Sequence, residues 1–98
     1  MTRPIREFSN SNLYHIIIKG NNDSLIFYDD MDRNVFLDRI NLTKEEFKYK
    51  VYAYCLMNNH VHLVIFDKKD EISKIMQTIE IRYSISLNKK YERTRTFI

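Results

Sequence analysis

The run Leu56-Met57-Asn58-Asn59-His60-Val61-His62-Leu63-Val64-Ile65-Phe66 constrains this chain most. A polar Asn-Asn pair is followed at once by a short apolar run rich in β-branched and aromatic residues, which reads as a strand entered from a turn. On a strand, positions i and i+2 share a face. His60 and His62 therefore project together, with Val64 and Phe66 behind them, while Val61, Leu63 and Ile65 take the other face. Two imidazoles side by side can hold one divalent cation, and neutral nitrogen suits Zn, Mn, Fe or Ni. Two ligands also leave positions open, as a catalytic metal requires. The same spacing fits a pair of part-buried histidines satisfied by backbone or water, and spacing alone does not separate the two.

The rest of the chain supplies elements around this strand. Leu13–Lys19 contains three consecutive isoleucines and reads as a buried strand. Tyr14, Ile16 and Ile18 share one of its faces, and Leu13, His15 and Ile17 the other. Gly20-Asn21-Asn22-Asp23 breaks it. Asp29 and Asp30 suit the positive end of a helix, and one of them can cap it. Phe36, Ile40, Thr43 and Phe47 then recur at helical spacing as a core stripe. Over 50–57, Val51, Ala53, Cys55 and Met57 alternate with Tyr52, Tyr54 and Leu56, which predicts a strand joined through Asn58-Asn59 in a tight hairpin. Residues 67–70 form a charged connector. Over 71–91, Ile72, Ile75, Met76, Ile79, Tyr83 and Leu87 keep helical spacing, with Arg82, Lys89 and Lys90 off that stripe. Tyr83 reads as core. Residues 1–12 read as a polar N-terminal arm, and 92–98 have extended propensity, a candidate fourth strand.

Strand, helix, strand, strand, helix and a fourth strand is the order of a split βαβ unit. The expected fold is α+β: a ferredoxin-like sandwich with an antiparallel sheet and two helices on one face. The strands bearing His15 and His60-Val61-His62 would be central neighbours. His15 would then lie beside His60 and His62 on the open face.

The 98 residues make one domain, 1–98, and 44% hydrophobic content suffices for a small core. The single Cys55 excludes an internal disulfide and reads as a small buried hydrophobe in a reducing compartment. No apolar run reaches the length of a signal peptide or membrane span, so a cytoplasmic protein without membrane attachment is expected. Net charge is +3, and the basic residues gather late: Lys74, Arg82, Lys89, Lys90, Arg93 and Arg95 against Glu80 and Glu92. That bias is compatible with a nucleic-acid partner.

Four segments agree in order and spacing with one family: Tyr14-His15-Ile16, Gly20-Asn21-Asn22, Ala53-Tyr54-Cys55-Leu56-Met57-Asn58-Asn59-His60-Val61-His62-Leu63 and Asn88-Lys89-Lys90-Tyr91. From about residue 12 onward the chain resembles the single-strand tyrosine transposases of the HUH class, and more narrowly their REP-associated branch. The resemblance implies a divalent metal, Mg or Mn, held by His60 and His62. It implies a tyrosine that attacks a DNA phosphate and leaves a phosphotyrosine link. It implies single-stranded DNA with hairpins as substrate, and a homodimer as one assembly. Asn59, Arg82, Lys89 and Lys90 are the candidate nucleic-acid contacts. In the family the nucleophile sits on a further C-terminal helix, so a C-terminally truncated domain is expected. No catalytic residue is assigned among those present, Tyr83 and Tyr91 included.

Two other classes remain open. One is a non-catalytic single-strand nucleic-acid binder, with bases stacked on Tyr52 or Tyr54 and with Lys19 and Arg82 as basic groups. The other is a small metal-binding or interaction domain without nucleic acid.

Overall fold

The computed structural model describes residues 5–7 and 12–91. In chain order these are β1 (Ile5–Glu7), β2 (Leu13–Lys19), a 3-10 turn (Asn21–Asp23), α1 (Asp30–Phe47), β3 (Lys50–Leu56), β4 (His60–Phe66) and α2 (Ile72–Lys90). The sheet order is β1-β2-β4-β3, and every neighbouring pair is antiparallel. β2 and β3 thus run parallel with β4 between them, which is the split βαβ expected. The α+β ferredoxin-like reading holds.

One face of the sheet is closed. Tyr14, Ile16 and Ile18 of β2 and Val61, Leu63 and Ile65 of β4 are buried in a single core with Phe36 and Ile40 of α1 and Ile75, Ile79, Tyr83 and Leu87 of α2. Alternate residues of the same strands, from His15 to Phe66, are only half-buried on the opposite face. α1 begins where the acidic residues indicated. Asp29 caps it, accepting the Asp32 amide at 2.9 Å. That bond, with the nearby Lys90 ammonium, lowers the Asp29 pKa. The helix ends at Lys48, whose backbone is left-handed at φ 58° and whose N–H returns to the Lys44 carbonyl. The stripe Phe36, Ile40 and Thr43 is buried as expected, joined by Asp32.

Four details differ from the sequence reading. Among the described residues the fourth strand is β1, at residues 5–7 of the expected N-terminal arm. A short alternating Ile5-Arg6-Glu7 segment satisfies the otherwise open backbone edge of β2. The tail 92–98 and the remainder of 1–11 lie outside the described residues. In β3 the expected alternation is broken by a bulge between Val51 and Ala53. Beyond it Tyr54 and Leu56 pair with the core residues Leu63 and Val61, while Ala53 and Cys55 pair with Val64 and His62. An extra residue in one strand re-aims everything after it. Finally, Cys55 is exposed, because β3 is the outer strand and its open face carries no helix. Asp67, read as part of a charged connector, is buried and accepts the Lys69 and Glu71 amides ahead of α2.

Candidate functional site

The Asn58-Asn59 turn does more than reverse the chain. Met57 N–H donates to the His60 carbonyl at 2.9 Å and closes the hairpin. Neither asparagine has the positive φ of a primed two-residue turn. Their carbonyls point outward instead: Asn59 O accepts from Gly20 N–H at 3.0 Å, and Asn58 O accepts from the Ile26 and Phe27 amides at 2.8 and 3.2 Å. Arg33, in the first turns of α1, donates to Asn58 Oδ1. Gly20 is buried at this junction, and a Cβ there would fall on the Ser24 carbonyl oxygen. The loop after β2, the start of α1 and the entrance to β4 are thereby locked together.

This lock presents the histidines. β4 sets His60 opposite Lys19 and His62 opposite Ile17 on β2, and His15, opposite Val64, lies on the same face. The His60 and His62 rings are 5.1 Å apart and nearly perpendicular at 79°. His60 Nδ1 lies 2.8 Å from Asn59 Oδ1. His62 Nδ1 lies 3.3 Å from His15 Nε2, with those two ring centres 5.6 Å apart. His15 therefore stands beside the pair, as its facing predicted. Each motif histidine has its Nδ1 engaged by a neighbour, the arrangement in which Nε2 is the nitrogen an imidazole can offer a cation. On donor chemistry the pair fits a divalent metal, with no selection for Mg over softer ions. Among the described residues no group of three or more His, Cys, Asp or Glu is placed to hold one.

The nucleic-acid candidates are not one patch. Asn59 is bonded to His60, and Lys89 is exposed in the last turn of α2. Lys90 bonds Asp32 at 2.7 Å and Asp29 at 3.1 Å, and its bond to Asp32 raises its pKa. Arg82 sits two turns back along α2, paired with Glu46 at 2.9 Å on the helical layer. Tyr52, beyond the start of β3, is exposed and stacks on Phe66 at 6.1 Å and 6° on the open face. Tyr83 is fully buried, donates to the Ile26 carbonyl at 2.7 Å and packs edge-on against Phe27 and Phe36. Burial raises its pKa further, so it is core, as its spacing indicated.

Sequence reasoning missed Asp32 and Arg33. Asp32 is fully buried and accepts from the Tyr28 amide, Lys90 and the Tyr91 hydroxyl. Its only signal was a carboxylate at i+3 from a cap. Arg33 carried none.

With this geometry in place, comparison with protein families is decisive at the coarse level. The family model described as Transposase IS200 like matches residues 9–98. The chain belongs to the IS200-like transposase family, and its function is transposase-related, with DNA as partner. Comparison with curated proteins finds no match. No helix among the described residues is long and apolar enough to cross a membrane.

Proposed function

We propose that this chain is a HUH-class, REP-associated transposase-type domain acting in the cytoplasm. It binds single-stranded DNA hairpins and holds a divalent cation, Mg or Mn, between His60 and His62. The observation that carries this is that both motif histidines stand on one half-buried sheet face beside the Asn59 turn with Nδ1 engaged, so that Nε2 is the nitrogen each can offer. A cation there would polarise a DNA phosphate for attack by a tyrosine. Asn59 orients His60 and borders the phosphate. Lys89 supplies positive charge from the last turn of α2, and Lys90 and Arg82 contribute when they exchange their carboxylate partners for phosphate. Tyr83 is not the nucleophile, being spent on the Ile26 carbonyl.

The test is Mn titration by electron paramagnetic resonance together with hairpin binding by anisotropy. His60→Ala and His62→Ala are each expected to abolish Mn binding and leave the melting temperature unchanged, because both rings are half-exposed. Retained Mn binding in both variants, or unfolding of either, would overturn the metal reading.

A second reading has its own observation. The exposed Tyr52–Phe66 stack is a platform on which an unpaired base can lie. Here the chain is a non-catalytic single-strand binder. Hairpin binding with and without Mn separates the two: binding strengthened by Mn and lost in His60→Ala and His62→Ala supports the first reading, and binding indifferent to Mn but lost in Tyr52→Ala supports the second.

A further inference from the structure

His62 Nδ1 and His15 Nε2 face each other at 3.3 Å. In such a contact one nitrogen must donate and the other accept. The partner on the other motif histidine fixes a pattern. Asn59 Oδ1 can only accept, so His60 Nδ1 carries the ring proton and its Nε2 carries the lone pair. For His62 to present a matching Nε2 lone pair, its own proton must sit on Nδ1, and His15 Nε2 must be the acceptor.

We propose that His15 is the positioning residue of His62. Its Nε2 lone pair holds His62 in the Nδ1–H tautomer and fixes the rotation of the ring, so that the two motif histidines offer like atoms to one cation. This rests on the metal reading above. β2 makes the contact available: His15 stands opposite Val64, diagonal to His62 on the neighbouring strand and on the same face, within reach of a ring. With 5.6 Å between ring centres and 26° between planes, the two rings lie nearly edge to edge, as an in-plane contact between ring nitrogens requires. His15 is not itself a ligand, because its Nε2 is spent on His62. Asn59 does for His60 what His15 does for His62. Partners of this kind are worth about 10–100-fold in metal affinity.

The experiment uses the full chain and Mn alone, comparing wild type with His15→Phe and His15→Gln. Phenylalanine keeps a flat ring against His62 and removes the acceptor. Glutamine carries an acceptor oxygen as many bonds from Cα as His Nε2. His15→Phe is expected to weaken Mn binding by roughly 10–100-fold with an unchanged melting temperature, and His15→Gln to recover most of the loss. Nitrogen-15 chemical shifts should show His62 as the Nδ1–H tautomer in wild type without metal and as a mixture in His15→Phe. Wild-type Mn affinity and tautomer in His15→Phe would overturn the proposal. If wild type itself binds no Mn, the metal reading fails, and the His62 tautomer in the two variants still decides whether His15 holds it.

Discussion

A single side chain can lower stability where it sits, and Glu80 does. It is buried on α2, and among the described residues its Oε1 has no hydrogen-bond partner. Burial pushes its carboxyl up to about 7 from 4.5. The folded state therefore holds the proton more tightly than the unfolded chain, so the contribution of Glu80 to stability is most favourable below about pH 4.5 and declines as pH rises through 7. Glu80→Gln removes the charge at nearly constant volume. It is expected to stabilise the fold by about 1–3 kcal/mol at pH 8 and to lose that advantage at pH 4. Urea unfolding at the two pH values checks this, and equal effects at both would refute it. Gly20 is the opposite case. A Cβ there meets backbone, not a movable side chain, so Gly20→Ala should cost about 2 kcal/mol. The measurement is the denaturant midpoint, and an unchanged value would show that the loop yields. Both features escape a sequence reading for the same reason: glycine in a turn and glutamate on a helix are unremarkable until the facing atoms are known.

Among elements, the two helices are joined at one end by Asp32. It takes Lys90, the Tyr91 hydroxyl and the Tyr28 amide, and so ties the start of α1 to the end of α2. Asp32→Ala strands three donors. It should cost about 3 kcal/mol, the low end for a broken buried pair because Lys90 reaches solvent. Asp32→Asn, which keeps an acceptor, should cost visibly less in the same thermal melts. Periodicity predicted both helices closely, because Phe36, Ile40, Ile75, Ile79 and Tyr83 are apolar at the spacing a buried stripe demands. β2 and β4 were legible through the same logic at period two. β3 was legible as a strand but not in its facing, since one extra residue at Val51/Ala53 cannot be read from alternation. The β1 segment is three residues long, too short to carry a pattern.

At the scale of the molecule, charge is distributed so that one end differs from the rest. Lys89 is exposed in the last turn of α2, where Lys90 meets the start of α1, whereas Arg82 is paired with Glu46 further along α2. Lys89→Ala should weaken hairpin binding and lower the slope of log affinity against log salt by about 0.7, the share of one phosphate on a single strand. Arg82→Ala should lower it less. Equal slopes for both variants would place DNA along the whole of α2. The histidine pair was the legible part of the candidate site, since a strand period alone sets His60 beside His62. The supporting shell was legible in part: His15 fell beside the pair once its strand was taken as the neighbour, whereas Asn59, read as a turn residue and nucleic-acid contact, gave no sign in the sequence of its bond to His60.

The carbonyls of Asn58 and Asn59 carry one more consequence. They hold the amides of Gly20, Ile26 and Phe27, which lie in a connection and would otherwise trade their hydrogens with water quickly. Those three amides should exchange with the slow, shared kinetics of β2 and β4, because they open only when the hairpin opens. The loop between β2 and α1 therefore belongs to the same cooperative unit as the sheet. The same turn reaches the helix on the other side of the sheet through the Asn58 side chain and Arg33, in the first turns of α1.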